Sequence, residues 1–136
     1  MRILLGIFRV LLVLWAGSLW SLAAWVAPTL FHAQNDRHLA GFVAAKLFSY
    51  ETYLGLLVAA LAIILPGRSR FYGAYFAAAV LAMNEWILKR IMSLAQSRGS
   101  AAGLGFGAWH GVSAALYLLA CLCVVVMIYK DEYRHA

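Results

Sequence analysis

Four long apolar runs constrain this 136-residue chain more than any other feature of its sequence. A helix of about 18 residues or more spans a hydrocarbon core of roughly 30 Å, and each run reaches that length. Lipid favours helices because they satisfy their own backbone groups, and the runs lack the alternation of outer-membrane strands. The sequence predicts an all-α, single-domain, integral membrane four-helix up-down bundle over residues 1–136. The runs cover residues 10–31, 47–65, 71–88 and 104–129, and the predicted helices are 6–31, 37–65, 71–97 and 104–130.

Charge is sparse and lies mainly at the ends of the runs. Charged residues make up 12% of the chain, about half the roughly 25% of soluble proteins, so the lipid bilayer is the predicted partner. The net charge of +6 forms no patch with interleaved aromatics, which excludes nucleic acid as the expected partner. The first run is longer than a signal-peptide core and carries three tryptophans, so we expect a retained helix.

The polar residues inside the runs fall at one side of the predicted bundle. In up-down order, helices one and three end where helices two and four begin, and the strongly polar residues lie at these ends. Steps of about 100° per residue put Glu51, Asn84 and His110 beside small residues, so we expect them to face the other helices. This predicts a polar intramembrane pocket toward the non-cytoplasmic side. Its residues are Glu51, Asn84, Glu85, His110, Ser113 and Ser21.

The ionisable residues admit two interpretations each. Glu85 forms an i,i+4 pair with Lys89, and Glu51 either pairs with a basic residue or binds a cation or proton. His110 either hydrogen-bonds a neighbouring helix or ligates a divalent metal or haem. The candidate metal ligands are His110, Glu51 and His32, and a bis-histidine haem would need His32 to turn inward or two chains to share a site.

Glycines and basic residues give the remaining predictions of architecture. Small residues allow close helix approach in membranes, so four glycines are predicted to pack helices or to serve a homo-oligomer contact. Six Lys and Arg residues lie on the predicted side of both termini, and five lie on the other side. When the Lys and Arg residues next to the apolar runs are left out, the counts are five and two. The positive-inside rule then places both termini in the cytoplasm, and residues 66–70 are predicted to form a tight turn. The glycines are Gly55, Gly103, Gly107 and Gly111.

Several segments together resemble a known family. They are "LWAGSLWSLAAWVAPTLF", "RHLAGFVAAKLF", "NE" in helix three and "WHGVSAALY" in helix four. The chain resembles the bacterial branch of the transmembrane protein 205-like family over nearly its whole length. The resemblance implies a small four-helix protein of the bacterial inner membrane, with Asn84, His110 and Ser113 as motif residues. Tyr117 stands where members often carry asparagine. The animal namesake is associated with resistance to platinum drugs, which implies handling of soft metals.

Three functions remain open at this point. The first is a non-enzymatic inner-membrane protein whose pocket binds a small cation or metal, a polar solute or a lipid headgroup, as a homo-oligomer or with a larger partner. The second is a haem- or metal-binding redox protein, since four-helix bundles hold haem through histidines. The third is an assembly or stabilising subunit of a larger membrane complex, in which the polar residues only fix helix register.

Overall fold

The computed structural model describes residues 2–65 and 71–133, which form four helical rods. The first rod joins α1 (Arg2–Ser21), a π-helical turn (Leu22–Val26) and α2 (Ala27–Ala33). The second rod is α3 (Arg37–Ile64). The third joins α4 (Tyr72–Met83), a second π-helical turn (Asn84–Leu88) and α5 (Lys89–Arg98). The fourth rod is α6 (Phe106–Tyr133).

Proline explains the π-helical turn in the first rod. Pro28 lies in the first turn of α2, where its ring would clash with the carbonyl four residues earlier in a regular α-helix. The widened turn avoids this geometry, and the Ala27 N–H donates to the Leu22 carbonyl, five residues back. The chain therefore passes Pro28 without a break, and Ile3–Ala33 is a continuous helix of 31 residues.

Helix α3 begins where the sequence provides a capping carboxylate. Oδ1 of Asp36 accepts hydrogen bonds from the backbone N–H groups of His38 (2.8 Å) and Leu39 (3.3 Å). An N-cap aspartate satisfies amide groups that have no partner in the first helical turn. The tight turn predicted at residues 66–70, after this helix, lies outside the described residues.

A short turn joins α5 to α6. Helix α5 ends before Gly99, whose φ of 82° is readily adopted only by glycine. Ala101 and Leu104 then exchange backbone hydrogen bonds of 2.9 and 3.1 Å, and the two residues between them, Ala102 and Gly103, have φ of 50° and 77°. Positive φ at both central positions is typical of a type I′ turn. Gly103, predicted to pack helices, instead serves this turn, and a Cβ added to it would meet nothing within 4 Å.

The apolar core lies between α1, α3, α4 and α6. Helix α4 makes its most extensive contacts with α6 and α3, and its buried face consists mainly of small residues. A Cβ added to Gly73 would lie 2.8 Å from Met127 Cβ and 3.0 Å from the Cys123 carbonyl oxygen. Such close backbone approach is how small residues hold helices together in membranes.

Three of the rods are long and apolar enough to cross a membrane. They are Ile3–Ala33, Arg37–Ile64 and the Phe106–Lys130 part of α6. The fourth predicted span, in the third rod, stays a prediction. Helix α4 has 12 residues, or about 18 Å at 1.5 Å per residue, before the second π-helical turn and the polar helix α5 follow. The chain is therefore an all-α protein with three clear candidate spans among its described residues.

Candidate functional site

Glu51 contacts the first rod through a hydroxyl group. Ser18 Oγ lies 3.1 Å from Glu51 Oε2 and 2.8 Å from the Trp15 carbonyl oxygen of its own helix. A hydroxyl carries one proton, so Ser18 donates to one of these two oxygens at a time. Glu51 has no basic partner among the described residues, contrary to the interpretation that paired it with a basic residue. The contact ties α3 to α1 inside the apolar region.

A second polar cluster joins α3 to the third rod. Lys89 Nζ lies 2.5 Å from Glu85 Oε2, so the predicted i,i+4 pair is present. The same ammonium group donates to Ser49 Oγ (2.7 Å) and to the Ala45 carbonyl oxygen (3.4 Å). Ser49 Oγ in turn lies 2.9 Å from Glu85 Oε1. All three N–H groups of Lys89 therefore have an acceptor, and the charge of Glu85 is balanced beside it.

Asn84 joins the second π-helical turn to α6. Its Nδ2 group donates to the backbone carbonyl of Ser113 at 3.0 Å. Its Oδ1 atom is buried and has no hydrogen-bond partner. Both residues were predicted to belong to one site, and the structure brings them together through the Ser113 backbone. The unpartnered oxygen is the unusual feature, because buried polar atoms are normally hydrogen-bonded.

Tyr117 makes a link that was not predicted from the sequence. Its hydroxyl donates to the Leu19 carbonyl oxygen at 3.1 Å, close before the first π-helical turn. Its ring packs edge-on against Phe48, with centroids 4.8 Å apart. The only sequence signal was a tyrosine within an apolar run, where buried hydroxyls usually find a partner. Ser18 and Ser49 carry the same kind of signal and were also missed.

His110 does not face the other helices, so that expectation is wrong. It is exposed, and its ring stacks on Phe106 with centroids 5.9 Å apart. His110 lies on the same face of α6 as the buried Tyr117 and Cys121, but two to three turns nearer the helix start. Periodicity gave the correct face, but it carries no information on how far the side chain is covered there.

The remaining predicted pocket and metal residues also lie apart. Ser21 and His32 are exposed, and neither makes a side-chain hydrogen bond with another described residue. No group of three or more His, Cys, Asp or Glu side chains in the described part of the chain could hold a metal ion. His110, Glu51 and His32 belong to no such group among these residues, and the metal site for which they were candidates stays a prediction.

The predicted packing glycines behave differently from one another. A Cβ added to Gly55 would lie 2.6 Å from Cζ2 of the buried Trp15, so α1 and α3 approach closely there. Gly107 and Gly111 have nothing within 4 Å of the same position. These two glycines contribute no close contact within the chain and leave the backbone of α6 open on that side.

The polar side chains connect helices instead of lining one site. Ser18 and Glu51 join α1 to α3, the Lys89 cluster joins α3 to the third rod, and Asn84 joins that rod to α6. Interhelical hydrogen bonds of this kind contribute about 0.6 kcal/mol on average, and at most about 1.7 kcal/mol, in a membrane protein. The arrangement fixes the rotation of each rod relative to its neighbour.

Comparison with known proteins identifies the family without assigning an activity. Neither the curated proteins nor the solved structures include a significant match to the chain. One family model does match, over residues 10–129, and its description does not carry the transmembrane protein 205-like name. That match includes the polar contacts from Ser18 to Tyr117 described above. The chain belongs to the family described as a domain of unknown function, DUF4149.

Proposed function

We propose that the protein is a non-enzymatic assembly subunit of the bacterial inner membrane that associates with a second copy of itself. The observation that carries this proposal is the exposure of residues 106–115 of α6, here called the open segment. Eight of its ten residues are exposed, and only Trp109 and Ser113 are half-buried. Helix α6 becomes buried only from Tyr117 onward.

The chemistry of the open segment suits contact with another helix. Gly107 and Gly111 form the G-x-x-x-G spacing that lets two membrane helices approach closely. His110 lies one turn from Gly107 on the same side. A neutral imidazole has one donor and one acceptor, so two copies related by a two-fold axis can satisfy each other's rings. A second copy therefore supplies both the close contact and the hydrogen bonds.

The internal polar contacts support an assembly role more than a pocket. Lys89 and Glu85 use their charges on each other and on Ser49. Ser18 and Glu51 bridge two rods. Side chains that are paired in this way fix the positions of the helices. An assembly or stabilising subunit requires its polar residues to do this. We further propose an up-down order of the rods with both termini in the cytoplasm, on the distribution of Lys and Arg.

The oligomeric state tests the proposal. We would purify the full chain in mild detergent and measure its mass by light scattering and native mass spectrometry over a range of concentrations. We expect a dimer, and we expect Gly107→Leu and Gly111→Leu to raise its dissociation constant by roughly tenfold or more, because a bulky side chain separates the backbones. Gly17→Leu is the matched control, since Gly17 is also an exposed helical glycine with nothing within 4 Å.

The outcomes separate clearly. A dimer that persists unchanged in both open-segment variants would place the interface elsewhere. A wild-type chain that stays monomeric at all concentrations in lipid nanodiscs would end the proposal. If Gly17→Leu dissociates the dimer as strongly as Gly107→Leu does, the first rod provides the contact.

A second candidate function is binding of a small polar solute near Asn84. The observation that favours it is the buried Oδ1 atom of Asn84, an acceptor that lacks a hydrogen-bond partner among the described residues. For this candidate we expect native mass spectrometry to find a bound small molecule of constant mass on the wild type. Asn84→Leu should lose it, and a wild type without such an adduct would exclude the candidate.

A further inference from the structure

Helix α5 carries a groove that none of the contacts above explains. The groove has a volume of about 390 Å³ and is lined by Lys89, Arg90, Ser93 and Leu94. It is an open depression on the surface of the helix. The lining combines two cations, a hydroxyl and one apolar side chain.

Arg90 is the charged residue of the groove that has no partner among the described residues. Lys89 is already held by Glu85 and Ser49. Arg90 is exposed and has no hydrogen-bond or ion-pair partner in the part of the chain that the structure describes. Residues 89–105 contain no acidic residue, so nothing in this stretch neutralises it. A guanidinium group with free N–H donors binds phosphate in a bidentate manner, and the exposed Ser93 hydroxyl adds a further donor.

The position along the rod points to a lipid as the source of that phosphate. Trp86 and Ile87 are 51% and 55% exposed and lie about one turn before Arg90. Tryptophan is enriched at the boundary between hydrocarbon and headgroups. The rod then turns polar from Lys89 onward, so Arg90 lies just beyond an apolar surface. Leu94 is 44% exposed and offers apolar contact beside the charge.

We propose that the groove formed by Lys89, Arg90, Ser93 and Leu94 binds the phosphate headgroup of an anionic phospholipid. Arg90 and Ser93 hold the phosphate oxygens, Lys89 lines the groove while it stays paired with Glu85, and Trp86 and Ile87 contact the acyl chains. The lining residues all belong to α5 and none lies in the open segment of α6, so the test of this site does not need the proposed dimer.

Retention of lipid by the full chain tests this site. We would place the protein in nanodiscs of equal phosphatidylglycerol and phosphatidylcholine and count retained lipids by native mass spectrometry. We expect preferential retention of phosphatidylglycerol by the wild type. Arg90→Gln should weaken the binding of phosphatidylglycerol about tenfold, because one charge-assisted bidentate contact is lost. Arg98→Gln is the matched control, an exposed arginine of the same helix outside the groove.

Two further arms distinguish the alternatives. Ser93→Asp adds a negative charge to the groove and should weaken the retention of phosphatidylglycerol as Arg90→Gln does. If one of these variants misfolds, the other still tests the site. Millimolar inorganic phosphate should not displace the lipid, and displacement would assign the site to a free anion instead. Unchanged retention in both variants, or equal loss in Arg98→Gln, would overturn the proposal. The Gly107→Leu variant should keep its lipid whether or not it is a dimer.

Discussion

At the scale of single residues, small side chains determine how closely the rods approach. Gly55 is buried against the ring of Trp15, which is itself 1% exposed. Trp15 fills the space between α1 and α3, and only a residue without a Cβ leaves room for it there. Gly17, two residues after Trp15, is exposed and has open space around it. The two glycines therefore differ in environment although both lie inside helices.

The contrast between Gly55 and Gly17 gives a matched prediction. We expect Gly55→Ala to lower the free energy of unfolding by about 1 to 3 kcal/mol, because the new methyl group forces Trp15 to move. We expect Gly17→Ala to be neutral or stabilising by up to about 1 kcal/mol, since alanine favours helix. Unfolding in a titration of denaturing detergent, followed by circular dichroism, measures both. Equal effects in the two variants would contradict the close contact at Trp15.

At the scale of helices, polar links hold α6 in place at two levels. Asn84 reaches the Ser113 carbonyl from the third rod, and Tyr117 reaches the Leu19 carbonyl of the first rod one turn later. The core of α6 begins at that second level, where Tyr117 is buried. Helix α6 is therefore fixed to two different rods close to the point where it leaves the bundle.

The Tyr117 link can be removed without altering the packing of its ring. We expect Tyr117→Phe to lower the free energy of unfolding by about 0.6 kcal/mol and at most about 1.7 kcal/mol, the average and the maximum for interhelical hydrogen bonds in membranes. The edge-on contact with Phe48 should remain. Tyr53→Phe is the control, because Tyr53 is exposed and its hydroxyl has no partner among the described residues. Thermal denaturation in one detergent compares the three proteins, and a Tyr117→Phe protein as stable as wild type would contradict the link.

Sequence patterns predicted the helices better than their environment. The start of α3 could be predicted from Asp36, and the pairing of Glu85 with Lys89 from their spacing, because both depend on neighbours in sequence. The exposure of His110 could not be predicted, since it depends on how far the fold covers its side chain. The division of the third rod also escaped prediction, because no proline marks the second π-helical turn. Long-range partners such as Ser18 with Glu51 need the fold itself.

At the scale of the whole molecule, the three apolar helices of the described chain indicate a membrane protein. Arg37 and Arg98 lie at the ends of their rods, whereas Arg9, Lys46 and Arg90 lie inside them. The positive-inside rule favours the orientation with both termini in the cytoplasm by a small margin.

That orientation can be measured with single cysteines. In a Cys121→Ala, Cys123→Ala background, we expect Asn35→Cys and Ser100→Cys to react with a membrane-impermeant maleimide added to intact cells. Both positions are exposed and lie in connections between rods. A cysteine appended after Ala136 should react only after the membrane is opened. The reverse pattern would invert the orientation, and labelling of Asn35→Cys without Ser100→Cys would show that the two connections lie on opposite sides.

The two π-helical turns have a consequence for comparing related chains. Each turn contains one residue more than the α-helical repeat, so the segment after it is rotated by roughly 100°. A relative lacking one residue in Leu22–Val26 or Asn84–Leu88 would form a regular α-helical turn there, and every later side chain in that rod would keep its neighbour. Single-residue gaps in an alignment of the family should therefore fall in these two stretches, and residues beyond such a gap should be matched by facing direction, not by count.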